Sequence, residues 1–166
     1  MQLNIHHLFL IVMGFISLSI SNSHAQQNNN SCNAILHNYQ NDNVTLISAK
    51  DIQQGPRNPA YCKVFGTITP DIGFEVRLPK EWNSRFYMVG NEGSGGKINS
   101  RNMNLPLSMN YATASTDLGH NGYMEEENYG YNNRQKVIDY GFRATHLTAV
   151  IAKEIVNSYY KKNAEY

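Results

Sequence analysis

The chain has 166 residues, with 14 Lys or Arg against 13 Asp or Glu, giving a formal net charge of +1. No basic run occurs, so the electrostatic footprint of a nucleic-acid binder is missing and no nucleic-acid partner is expected. Eleven Tyr and twelve Gly among many Asn, with only two Cys, fit a loop-rich extracytoplasmic protein.

The first 25 residues read as a secretory signal. Leu8–Ile20 is an apolar run of h-region length, short of the roughly 20 residues a membrane span needs, and Ser23-His24-Ala25 puts small residues at −3 and −1 of a cleavage site. The n-region has no Lys or Arg, which leaves an uncleaved N-terminal anchor as the alternative. Residues 26–31 begin with the polar run QQNNN and are expected to be a disordered lead-in. Residues 32–166 are then one domain, secreted or periplasmic, and no later apolar run is long enough for a second span. An even pair of cysteines behind a signal favours a Cys32–Cys62 disulfide; two buried free thiols are the alternative. A metal centre has no support, because neither Cys lies in C-x-x-C or near a His at ligand spacing. The sequons at Asn29 and Asn43 carry meaning only in a eukaryotic secretory host.

Cys32–Tyr39 predicts a short helix and Val44–Ala49 a short strand. Gly55-Pro56 and Asn58-Pro59 mark a loop. Tyr61–Thr69 and Ile72–Leu78 alternate with period two around Pro70-Asp71, which predicts an antiparallel hairpin ended by Pro79. Phe74, Val76 and Leu78 share one of its faces. Arg85–Val89 is nearly all apolar, as expected of a strand buried on both faces. The Gly-rich segment Gly90–Gly96 follows, then an irregular or briefly helical stretch over 97–110. Tyr111–Thr116 is a small-residue strand and Asp117–Asn133 a long polar loop. From Arg134 to Tyr160 the period becomes 3.6, with Val137, Ile138, Leu147, Val150, Ile151, Ile155, Val156 and Tyr159 near one stripe. One long helix is expected there, opened by Asn132-Asn133-Arg134-Gln135, with Gly141 leaving its first turns uncertain. The order is that of the first half of a mostly parallel α/β sheet, with an edge and a face left uncovered.

The segment GNEGSGG is the most chemical-looking part of the chain. It is not a P-loop, because Gly96 stands where Lys is required, and not a dinucleotide fingerprint, because Ile98 stands where Gly is required. An oxyanion loop after the third strand of an α/β-hydrolase fits, since backbone N–H groups must approach a ligand with no Cβ in the way. A flexible loop without a role is the bland alternative. Asp117 and His120 follow a strand's C-terminal end, where open α/β sheets place ligands. Without an accompanying nucleophile elbow they are read as loop-ordering residues. Ser94 has no His spaced to activate it, His146 reads as a packing histidine, and Glu125–Glu127 as a solvated acidic stretch.

Several motifs resemble the tannase and feruloyl esterase family. They include Pro59-Ala60-Tyr61-Cys62, Ile72-Gly73-Phe74-Glu75-Val76-Arg77-Leu78-Pro79, and Trp82-Asn83 with Arg85-Phe86-Tyr87-Met88-Val89-Gly90-Asn91. Tyr111-Ala112-Thr113-Ala114-Ser115-Thr116-Asp117, Gly119-His120, Asn132–Asp139 and Arg143-Ala144 with His146–Ala149 continue the likeness, which spans about Cys32 to Tyr166. The resemblance implies the N-terminal portion of an α/β-hydrolase fold in a secreted serine esterase that cleaves esters of aromatic acids such as gallate or ferulate. It implies a G-C-S-x-G-G nucleophile elbow beyond Tyr166, with the catalytic Asp and His later still, so no catalytic residue is expected in the chain. It also implies a lid that commonly holds calcium, no cofactor within these residues, and a small-molecule aromatic ester as partner. What carries over is Cys32–Cys62 as the N-terminal disulfide and Gly90–Gly96 as one side of the oxyanion hole. Where the family usually shows Asn-Gly-Gly, this chain has Asn91-Glu92-Gly93, so either Gly93 or Glu92 would supply the N–H. The chain alone is expected to be inactive; the alternative is a non-catalytic secreted binding protein derived from a truncated esterase.

Overall fold

The computed structural model describes residues 31–122 and 127–165. The signal segment, residues 26–30 of the lead-in, the sequon at Asn29, and Glu125 and Glu126 lie outside them. Five strands form one sheet: β1 (Val44–Ile52), β2 (Tyr61–Ile68), β3 (Ile72–Pro79), β4 (Phe86–Met88) and β5 (Ala112–Thr116), in the order β1-β2-β3-β5-β4. The hairpin of β2 and β3 runs in unbroken register from Tyr61↔Pro79 to Ile68↔Ile72. β1 pairs antiparallel to β2, with a register shift between Leu46 and Ser48 that leaves Ile47 55% exposed. β5 inserts between β3, which it meets antiparallel, and β4, which it meets parallel. This is an α/β fold in which the described part of the sheet is chiefly antiparallel and only the β4–β5 pair is parallel.

The pleat sorts β3 and β5 onto two faces. Phe74, Val76 and Leu78 join Ala112 and Ala114 in the apolar core under the long helix α4 (Ala144–Tyr160). From α4 come Ala144, Ile151, Ala152, Ile155, Val156 and Tyr159, a stripe with helical spacing. Burying each Ile or Val contributes about 1.5–3 kcal/mol, which is why this stripe seats α4 on the sheet. α4 ends at Lys161, in the left-handed region at φ 56°, whose N–H bonds the Asn157 carbonyl at 2.8 Å. Gly66 lies beneath the Phe74 ring; a Cβ there would sit 2.8 Å from Phe74 Cζ and from the Thr45 carbonyl oxygen.

The opposite face is polar yet buried. Arg77 Nε donates to Glu75 Oε1 at 2.6 Å, and Arg77 Nη1 donates to Asn104 Oδ1 at 2.7 Å. Lys63 Nζ lies 3.2 Å from Glu75 Oε2. Asn104 opens the short helix α2 (Asn104–Ser108), so this network ties α2 to the sheet. At the N-terminus, a turn of 3-10 helix (Cys32–Ala34) and α1 (Ile35–Asn38) replace the single expected helix. The Cys32–Cys62 disulfide is formed, with a Cα–Cα distance of 5.2 Å, and anchors this segment to β2. Tyr39 donates its hydroxyl to Glu154 of α4 at 2.7 Å. Burial, then the neighbouring carboxylate, hold the Tyr39 phenol well above its usual range.

Four expectations need correction. β4 is not buried on both faces: it is an edge strand among the described residues, and Tyr87 is 51% exposed. The stretch Arg134–Tyr160 is not one helix; α3 (Arg134–Ile138) and α4 are joined by a π-helical turn, Asp139–Arg143. Val137 (53% exposed) and Val150 (42% exposed) therefore fall off the buried stripe. His146 is exposed on the outer side of α4 and packs against no core.

Candidate functional site

β4 and β5 run parallel, so their C-terminal ends deliver two loops to the same edge of the sheet. The first is residues 89–99 and the second begins at Asp117. Side-chain amides fasten the first loop. Asn91 Nδ2 donates to the carbonyls of Thr116 and Lys97, both at 2.9 Å. Asn99 Nδ2 donates to the Gly90 carbonyl at 3.1 Å, while the Asn99 N–H donates to Ser115 Oγ at 3.0 Å. The two loops then join directly, the Gly122 N–H donating to the Gly96 carbonyl at 3.0 Å.

Within the first loop, the Gly95 N–H bonds the Glu92 carbonyl at 3.2 Å, closing a four-residue turn. Gly93 takes its first central position at φ 57°, and Ser94 is not among the positive-φ residues, the pattern of a type II′ turn. In a trans peptide the N–H points opposite the C=O. With its C=O turned into the turn, the Glu92–Gly93 peptide aims the Gly93 N–H outward. Among the described residues, neither the Glu92 N–H nor the Gly93 N–H has an acceptor. Both residues are exposed, and Glu92 lines a cavity of about 520 Å³ together with Asn91, Gly95, Lys97, Asn99 and Arg101.

Asp117 opens the second loop, and His120 lies against Gly96, its Cδ2 3.1 Å from where a Cβ on that glycine would sit. Asp117 Oδ1 accepts the N–H of Gly73 at 2.9 Å and of Gly119 at 2.8 Å, so the carboxylate orders the start of the second loop. Burial raises its pKa; the Gly119 and Gly73 amides and nearby His120 oppose the rise. His120 is 6% exposed, stacks on Tyr129 at 3.9 Å between ring centroids, and leaves Nδ1 without a partner among the described residues. No serine is hydrogen-bonded to it among those residues. Cys32 and Cys62 lie elsewhere, in the N-terminal clasp on β2.

Sequence reasoning missed four contributors. Asn91 and Asn99 bracket the glycines, and their amides are the only sequence-level cue. Asp139 is fully buried in the π-helical turn, where its Oδ1 accepts from Gln135 Nε2 at 2.9 Å and Arg143 Nη1 at 2.7 Å. Tyr140, next to it, donates its hydroxyl to the Gly93 carbonyl at 3.1 Å. Nothing local in the sequence announces a contact across 47 residues.

The parallel β4–β5 pair, delivering fastened loops to one edge of a mixed sheet packed under a long helix, is that of an α/β fold. The chain belongs to the tannase and feruloyl esterase family, whose profile matches residues 57–166. It is similar to an uncharacterised esterase of Xanthomonas campestris pv. campestris, 31% identical over 138 residues, covering 74% of this chain and 24% of the relative. It is also similar to a probable feruloyl esterase B-1 of Aspergillus oryzae, 29% identical over 130 residues, covering 71% and 23%. The crystal structure of feruloyl esterase B from Aspergillus oryzae shares the fold with a TM-score of 0.72 at 24% identity, covering 81% of this chain and 31% of that one. The chain therefore spans about a quarter of the length of the curated relatives it matches.

Proposed function

We propose that this chain forms the N-terminal part of a secreted serine carboxylic-ester hydrolase acting on phenolic esters of the galloyl or feruloyl type. The observation that carries the reading is the pair of N–H groups at Glu92 and Gly93 that have no acceptor among the described residues, the Gly93 N–H being held outward by a glycine turn at the ends of parallel strands. Such donors suit the oxygen of a tetrahedral intermediate, where each is worth about 3–4 kcal/mol of barrier. The mechanism is acyl transfer to a serine followed by hydrolysis, the nucleophile and base being supplied by segments other than these residues. The Gly93 N–H is the preferred donor, because the Glu92 carboxylate then stays on the cavity rim. Asp117 and His120 order the loop beside it. The disulfide and the signal-like N-terminus support an oxidising, extracytoplasmic location.

The test is turnover of methyl ferulate and methyl gallate by the polypeptide translated from the complete coding sequence, beside the 166-residue chain alone. Activity in the first and none in the second is expected; a stable, folded first product without activity on either ester refutes the reading. A non-catalytic binding role on the same fold is the second reading. It is favoured by the exposed apolar group Tyr87, Leu105 and Met109 beside the β4 edge, and predicts that refuting result.

A further inference from the structure

The rungs of a parallel ladder are evenly spaced, and on each strand successive donors stand two residues apart. β4 and β5 keep that step as far as Val89, whose N–H donates to the Ala114 carbonyl at 2.8 Å. The next rung would join the Asn91 N–H to the Thr116 carbonyl, and among the described residues that backbone bond is not made. The Asn91 side chain makes it instead, Nδ2 donating to the Thr116 carbonyl at 2.9 Å. The backbone is thereby released from the sheet while the residue stays tied to it. A side-chain amide has two N–H donors. The second goes to the Lys97 carbonyl at 2.9 Å, on the far side of the glycine turn.

The turn's own bond, from the Gly95 N–H to the Glu92 carbonyl, fixes its shape and the direction of the Gly93 N–H within it. It does not fix where that shape stands on the sheet. Gly93, Gly95 and Gly96 all have positive φ and carry no side chain that could pack there. Gly122 and Tyr140 reach the turn from the second loop and from the π-helical turn. Asn91 refers it to the strands, because one amide joins both ends of the turn to the last residue of β5. Asn99 supports this by holding the Gly90 carbonyl, just before Asn91, at 3.1 Å.

We propose that Asn91 is a positioning residue for this site: its amide replaces a rung of the sheet and so sets the place of the turn, with its Glu92 and Gly93 N–H groups, relative to the strand ends. The catalytic consequence rests on the esterase reading above; the anchoring does not. Asn91→Ala has no donor. Asn91→Asp is nearly isosteric, turns a carboxylate toward two carbonyl oxygens at neutral pH, and regains one donor when protonated. The complete polypeptide and both variants are assayed with methyl ferulate from neutral pH down into the carboxylate range. Amide exchange over residues 89–99 is followed by mass spectrometry at the same pH values.

The expected result at neutral pH is a kcat lowered about tenfold or more in both variants with KM within about twofold, because displaced donors weaken the transition state rather than ground-state binding. Exchange over 89–99 should quicken about tenfold while α4 is unchanged. As pH falls, N91D should recover kcat and protection relative to wild type at the same pH, while N91A stays a constant fraction of wild type. A folded N91A that keeps the kcat of an active wild type, a loss confined to KM, or unchanged exchange over 89–99 overturns the proposal. So does an N91D whose ratio to wild type is the same at every pH. A wild type without ester turnover sinks the esterase reading, and exchange in the two variants then decides the anchoring alone. Should N91A unfold, N91D decides: recovery on protonation supports the anchoring, and equal loss in both protonation states refutes it.

Discussion

Gly96→Ala and Gly90→Ala lie six residues apart in one loop, yet the structure assigns them opposite outcomes. Gly96 has φ +79°, and a Cβ on it would lie 2.5 Å from the Gly122 carbonyl oxygen and 3.1 Å from Gly122 N and His120 Cδ2. The left-handed conformation costs an alanine about 1–2 kcal/mol. Gly122 must retreat, which sacrifices the Gly122 N–H bond to Gly96 at about 1 kcal/mol. Forcing backbone apart in a packed site adds about 1–3 kcal/mol. The sum is roughly 4 kcal/mol against the joined loops. With a urea slope of about 2 kcal/mol per molar, that moves the unfolding midpoint down by about 2 M. Gly90 has ordinary φ, and its Cβ would meet nothing within 4 Å. Its alanine variant should be neutral, or slightly stabilising through the unfolded chain, by about 0.5 kcal/mol. Urea denaturation of the two variants beside wild type reads both. Equal midpoints for G96A and G90A would refute the claim that the loops are locked backbone to backbone.

Three further outcomes follow from the same structure. The Cys32–Cys62 bridge closes a separation of 30 residues, so C32A/C62A should lose about 3–4 kcal/mol on the chain-entropy account, read as a lowered urea midpoint that reductant no longer changes. Burial raises the Asp117 pKa, so the folded state holds that proton to higher pH than the unfolded one. This group's contribution to stability is therefore present below its unfolded pKa and lost as pH rises through its folded pKa. Asp117→Asn keeps an acceptor for Gly73 and Gly119 and should flatten stability against pH from the ordinary carboxylate range upward; an unchanged profile contradicts the assignment. Asn91→Ala removes two amide bonds, to the Lys97 carbonyl in its loop and to the Thr116 carbonyl at the end of β5, and should cost about 1–3 kcal/mol, seen as faster amide exchange over 89–99.

Elements set by local rules were legible in the sequence. The β2–β3 hairpin follows from period-two runs around Pro70-Asp71, and Asn133 caps α3 by accepting the Lys136 N–H at 3.1 Å. The Cys pair and the glycine turn were also readable, because few residue types serve those roles. Tertiary decisions were not. Alternation in β3 marks one apolar face, but the buried Glu75–Arg77 pair on the other depends on Lys63 and Asn104 from distant elements. The break in the last helix sets Asp139 against Gly119 of the second loop, a contact no helical period records. Tyr140 escaped notice for the same reason: its target, Gly93, lies in another loop.

The most direct measurement is ester turnover by the protein translated from the complete coding sequence, with methyl ferulate as substrate and a serine-directed phosphonate as inhibitor. The account predicts turnover that the phosphonate abolishes. A folded protein that leaves the ester intact would contradict it.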